Sequence, residues 1–150
     1  MTIPEYDYII VGAGSAGCVL ANRLTASGEH RVLLLEAGGR DTNPWIHIPL
    51  GFGKTMFNPE VNWMFETDPE PAMQGRKIKV PRGRVLGGSS SINGLIYIRG
   101  QREDFDDWKN LGNPGWGYDD VLPYFKKSED QERGADEWHG SGGPLSVSDV

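Results

Sequence analysis

The 150 residues are enough for one domain with its own core, and 37% apolar against 24% charged residues is a globular balance rather than a disordered one. A net charge of −6 argues against a nucleic-acid partner, whose phosphates would ask for a basic face. One cysteine, Cys18, allows no internal disulfide, no run approaches the roughly 20 apolar residues of a bilayer span, and the first residues lack a signal peptide's pattern, so the expectation is a cytoplasmic protein with no transmembrane segment, at most peripheral to the inner membrane.

Along the chain, Tyr6–Val11 is short, apolar and β-branched, which predicts a buried parallel strand. Gly12-Ala13-Gly14-Ser15-Ala16-Gly17 follows at once. Over Ser15–Ala26 the apolar residues Ala16, Val19, Leu20 and Leu24 fall on one face of a helix, which Ser27-Gly28 closes. Arg31–Glu36 is a second apolar strand ending in an acid, so the first 36 residues make a βαβ unit. Gly38-Gly39, Pro44 and Pro49 forbid long regular structure over 37–49. Residues 50–82 look mixed, with short strands at Trp63–Glu66 and Lys77–Val80. The run Arg76–Arg84 holds five cations in nine residues and admits two readings: a solvated loop, or a neighbour of a cofactor phosphate. A glycine- and serine-rich loop, Gly83–Asn93, runs into a helix or strand over Ile92–Ile98. Glu103–Leu111 predicts a short helix, and Tyr118–Ser128 another, capped by Asp119. Gln131–Gly143 reads as loop and Pro144–Val150 as a strand only begun. Two convincing parallel strands are fewer than a doubly wound sheet needs, so the chain is expected to be a piece of a longer protein.

The spacing Gly12-x-Gly14-x-x-Gly17 between a strand and a helix points to dinucleotide binding. The first glycine permits the tight turn. The second lets backbone approach a pyrophosphate, and the third lets helix pack on strand. The helix start offers free N–H groups to the phosphates. Glu36, 19 residues beyond Gly17, is placed to accept hydrogen bonds from ribose hydroxyls and to repel a 2′-phosphate. The candidate set here is Gly12, Ala13, Gly14, Ser15, Ala16, Gly17, Glu36 and Ala37. By itself it does not separate FAD from NAD. His30, His47 and His139 show no metal-ligand spacing and read as structural or exposed. Cys18 reads as a buried small hydrophobe.

A longer pattern separates the two. Gly83-Arg84-Val85-Leu86-Gly87-Gly88-Ser89-Ser90-Ser91-Ile92-Asn93, followed by Tyr97, Gly100 and Asp106, resembles the first signature of the glucose–methanol–choline (GMC) oxidoreductase family. The likeness continues in Asn62-Trp63-Met64-Phe65-Glu66-Thr67, in Tyr97-Ile98-Arg99-Gly100, in Gly115-Trp116-Gly117-Tyr118 before Val121–Phe125, and in His139-Gly140-x-Gly142-Gly143-Pro144-Leu145. It spans the whole chain and is closest in pattern to bacterial choline dehydrogenase-like alcohol dehydrogenases. The resemblance implies an α/β, Rossmann-like FAD-binding domain, incomplete, over residues 1–142, with a substrate-binding domain beginning at 143–150. It implies contacts to FAD from Val85, Gly88, Asn93, Gly94, Leu95 and Ile96. It also implies a place for Trp63 near the adenine, although Trp63 reads equally well as a core aromatic. Some members attach FAD covalently through a histidine in this loop; Ile92 stands there in this chain, so FAD is expected to be held non-covalently. The implied reaction is hydride transfer from the carbinol carbon of a small alcohol to flavin, with oxygen or a quinone-type carrier as electron acceptor. The family's catalytic base is a histidine near the carboxyl end. No segment here matches it, so no catalytic residue is assigned. Two other readings stay open: another flavin- or NAD-linked dehydrogenase sharing the βαβ start, and a binding or interaction module without catalysis.

Overall fold

A computed structural model describes residues 4–149, and its contacts divide the chain into two compact units, Met1–Ile96 and Tyr97–Val150. The first unit opens with β1 (Tyr8–Val11), α1 (Ser15–Thr25) and β2 (Val32–Leu35). β1 and β2 pair in parallel, with Tyr8 opposite Val32 and Val11 opposite Leu35. β1 starts two residues later than expected, because Asp7 is used differently: its carboxylate accepts the Arg31 N–H at 2.7 Å and fastens the strand ends together. α1 lies against the pair because residue 17 is glycine; a Cβ there would fall on the Gly12 carbonyl oxygen. The expectation of a buried strand is corrected. Ile10 is buried, but Val11 is 84% and Leu35 46% exposed. Parallel strands bury when both faces are covered, and two strands with one helix leave apolar surface open.

Two 3-10 turns, Pro44–Ile46 and Pro49–Gly51, lead into a one-turn helix, α2 (Phe52–Thr55). β3 (Phe65–Glu66) and β4 (Lys79–Val80) form an antiparallel pair, with a 3-10 turn at Pro71–Met73 between them. The small core of this unit is Val61, Val85 and Ile92, with Ile46 packed against it. The serine-rich loop closes on itself as a 3-10 turn, Gly88–Ser91. Ser90 Oγ donates to the Gly87 carbonyl at 2.6 Å, and Ser91 Oγ to that of Leu86 at 2.8 Å. The helix or strand expected over Ile92–Ile98 does not form. Asn93 Oδ1 accepts the Leu95 N–H at 2.9 Å and Leu95 is left-handed, with φ +59°. That Asn-Gly turn overrides the apolar pattern, and Leu95, Ile96 and Ile98 stay exposed.

The second unit holds α3 (Arg102–Asn110), α4 (Tyr118–Ser128), β5 (Glu129–Gln131) and β6 (Leu145–Val147). Acids one turn in close both helix starts: Asp104 accepts the Gln101 N–H at 2.8 Å, and Asp120 that of Gly117 at 3.1 Å. Asp119 is therefore not the cap expected of it. It lies inside the first turn of α4 and pairs with Arg102 at 2.9 Å. Between α3 and α4, Phe105 meets Trp108 and Phe125 edge-on at 5.5 and 5.7 Å.

β5 ends on Gln131, the first residue of the expected loop, and it pairs in parallel with β6. Glu-Asp-Gln carries no strand signature, because the residue that matters is a buried charge. Glu129 is fully buried. Its carboxylate is ion-paired with Arg99, bonded to His139 Nδ1 at 2.8 Å and to the Gly140 N–H at 3.1 Å. Arg99 also donates to the Trp138 carbonyl at 2.6 Å. Burial pushes the Glu129 carboxyl upward, but His139, the Gly140 amide and Arg99 together hold it below its ordinary range.

A carboxyl whose pKa is lowered on folding stabilises fully above its unfolded pKa of about 4.3 and loses that stabilisation as pH falls through the folded value. Replacing Arg99 by Met should destabilise the intact protein by about 3–5 kcal/mol at neutral pH, since the buried carboxylate loses its cation. Melting curves taken from about pH 7 to pH 3 should show the gap between wild type and Arg99→Met narrowing on the acid side. A gap independent of pH would refute this role for the pair.

Candidate cofactor site

The βαβ start and the serine-rich loop meet through main chain. The Gly87 N–H donates to the Ala13 carbonyl at 2.8 Å, and the Leu86 N–H to that of Gly39 at 2.9 Å. A Cβ on Gly88 would stand 2.8 Å from the Gly14 Cα, so glycine is what permits the approach. Beside this junction lies an open cleft of about 610 Å³. Gly12, Gly14, Ser15, Glu36 and Ala37 line it from the βαβ unit, with Val11 and Leu35. Trp63, Arg82, Gly83, Gly88 and Ser89 line it from the second segment. Two motifs about 70 residues apart in the chain thus share one cavity.

The other candidates divide into two groups. Ala13, Gly17 and Val85 are buried behind the cleft, with the Val85 side chain committed to the core. Ala16 is exposed on α1 but does not line the cavity, and Asn93, Gly94, Leu95 and Ile96 are exposed outside it. Glu36 is held in place by the protein itself: Oε2 accepts the Ala13 N–H at 2.8 Å and Oε1 the Gly38 N–H at 2.9 Å. Each oxygen keeps a further lone pair for a ligand hydroxyl. Trp63 is 43% exposed, stacked on Phe65 at 5.9 Å, so it is a cleft wall and not a core aromatic. Cys18 is half-buried, its thiol turned back to the Ala13 carbonyl at 3.2 Å. The three histidines sit on Tyr8, on the Asp41 carbonyl and on Glu129, and none lines the cleft.

Arg82, Gly83 and Ser89 line the cleft without being among the assigned contacts, although Gly83 and Ser89 lie within the signature and Arg82 just before it. The signal for Arg82 was the basic run beside the loop. The structure splits that run, with Arg82 in the cleft, Arg84 turned to the Pro59 carbonyl at 3.1 Å and Lys79 over the Phe57 ring at 5.5 Å. The cavity's chemistry fits a dinucleotide. Amides at the start of α1 and a guanidinium suit phosphates, an acceptor carboxylate suits a ribose, and an aromatic plane suits a base. No side-chain atom occupies the space a Cβ on Gly14 would enter, which leaves the backbone open to a ligand.

The family model described as GMC oxidoreductase matches residues 6–150. An oxygen-dependent choline dehydrogenase of Vibrio vulnificus is 55% identical over 143 residues, which are 95% of this chain and 26% of that protein. Pyridoxine 4-oxidase from Mesorbium loti superposes with a TM-score of 0.89 at 40% identity, over 95% of this chain and 28% of its own. An FAD-dependent oxidoreductase from Chaetomium thermophilum superposes at 0.82 with 34% identity, over 96% of this chain and 26% of its own. This chain therefore spans about a quarter of the length of the relatives it matches.

The glycine contacts separate folding from binding. Gly17→Val drives a side chain into the Gly12 carbonyl and should lower the melting temperature of the ligand-free protein. Gly14→Val meets open space in the protein, so it should melt as wild type does and yet purify with little or no bound dinucleotide. Wild-type cofactor content in Gly14→Val would remove Gly14 from the site.

Proposed function

Since this chain belongs to the GMC oxidoreductase family, we propose that it supplies the first part of the FAD site of an enzyme that oxidises the CH–OH group of a small alcohol. FAD is the cofactor implied by the family and by the FAD-dependent structural neighbour. The observation that carries the reading is the single cleft shared by the glycine loop, Glu36 and the 82–89 loop. FAD held there would accept a hydride from the carbinol carbon, while a base outside these residues takes the hydroxyl proton. The chain's own contribution is to bind and orient. Glu36 receives ribose hydroxyls, the backbone at Gly14 and Ser15 at the start of α1 faces the pyrophosphate, and Trp63 flanks the adenine. Asn93–Ile96 present main chain towards the flavin. Residues 143–150 open the substrate-binding domain.

Non-covalent attachment is supported by the burial of Ile92, 4% exposed and packed with Val61 and Val85. The likeness to the choline dehydrogenase and to pyridoxine 4-oxidase covers the cofactor half-site in both cases, so it argues for alcohol oxidation without selecting the alcohol. Oxygen or a quinone-type carrier is the proposed acceptor. A cytoplasmic or peripheral setting is proposed; no helix among the described residues is long and apolar enough to cross a membrane.

The intact protein should purify yellow and release its FAD into the supernatant on acid precipitation, and it should oxidise at least one primary alcohol when oxygen and an artificial acceptor are compared side by side. Flavin retained in the pellet would refute non-covalent attachment. Recovery of NAD, or no turnover across the alcohol panel with flavin bound, would refute the cofactor or the reaction respectively.

A further inference from the structure

Arg82 occupies an unusual electrostatic position. It lines the cleft beside Gly12, Gly14 and Ser15, where the start of α1 already presents partial positive charge. No carboxylate among the described residues forms an ion pair with it. The one acid in the cleft, Glu36, has both oxygens engaged by the Ala13 and Gly38 amides. Arg82 spends a single donor within the protein, Nη1 to Ser89 Oγ at 3.4 Å, and a guanidinium has five. A cation held among other positive ends, with donors left over, is matched to an anion.

Its backbone, by contrast, is fixed. Asn62 is 2% exposed, and both polar atoms of its side chain are hydrogen-bonded. Its Nδ2 donates to the Met56 carbonyl at 2.6 Å, and its Oδ1 accepts the N–H groups of Met64 at 2.9 Å and of Arg82 at 3.0 Å. The Arg82 carbonyl accepts the Trp63 N–H at 2.9 Å. One buried amide therefore sets the two cleft walls, Trp63 and Arg82, against each other.

We infer that Arg82 is a direct contact for the cofactor's pyrophosphate and that Asn62 is the positioning residue that delivers it. This rests on the reading of the cleft as the FAD site. Arg82 contributes charge and bidentate geometry, and Asn62 contributes none of either but determines where the guanidinium starts.

The test uses the intact apoprotein, titrated with FAD, ADP and adenosine at low and high salt. Arg82→Gln should weaken FAD and ADP about tenfold or more, leave adenosine unchanged, and flatten the salt dependence of ADP binding. Arg82→Lys should recover part of the loss. Arg76→Gln, from the same basic run but outside the cleft, should behave as wild type. Asn62→Ala should reproduce the flattened salt dependence as well as lowering the melting temperature. An Asn62→Ala protein that melts earlier yet keeps the wild-type salt dependence would make Asn62 merely structural. Wild-type ADP affinity in Arg82→Gln would overturn the inference and leave the FAD reading standing. Failure of wild type to bind FAD and ADP at all would overturn both.

Discussion

Everything at the candidate cleft depends on one close approach of main chain to main chain. The Gly87 amide bonds to the Ala13 carbonyl, and Gly88 lies against Gly14 with no room for a side chain between them. Backbone contacts of this kind are short, directional and indifferent to side-chain entropy, so they place two loops rigidly at little cost in ordering. The Gly39–Val85 bridge and the Leu86-to-Gly39 bond extend the same seam. Behind it, Val61, Val85 and Ile92 supply a small apolar anchor. The cleft is thus a consequence of how the second loop is docked, and the residues that line it are those left on the open side.

Glu36 and Glu129 illustrate opposite uses of charge. Glu36 is half-buried at the cleft, held by two amides while keeping acceptor capacity free. Glu129 is fully buried in the other unit and is bound by Arg99, His139 and the Gly140 amide. A fully buried carboxylate paired with a cation and closed off from solvent fixes geometry and offers nothing to a ligand. An acid with spare acceptors at an open cavity is the one able to read a substrate or cofactor.

Membership of the GMC family and coverage of about a quarter of its relatives explain why the cofactor chemistry is written so densely here and the reaction chemistry is not. Val11 and Leu35 stay exposed because a parallel pair buries only where both faces are covered, and a βαβ unit with one helix covers one.

Much was legible from residues alone. The strand–glycine–helix start, the acid at position 36 and both helices of the second unit follow from local rules: side-chain period, glycine spacing, a helix stop at Gly28; the family came from the resemblance carried by residues 83–106. Each rule acts within a few residues, so a linear reading captures it. What only the tertiary structure decided is what depends on partners far apart in the chain. It made Glu129–Gln131 a strand, because the charge of Glu129 is neutralised by Arg99, 30 residues away. It dissolved the element expected at 92–98, because an Asn-Gly turn found no strand partner to outweigh it. It chose Arg82 from five neighbouring cations, because Asn62, 20 residues earlier, holds that backbone at the cleft. Local periodicity sets which elements can form; long-range hydrogen bonds and charge pairing decide which do, and which side chains they leave facing a ligand.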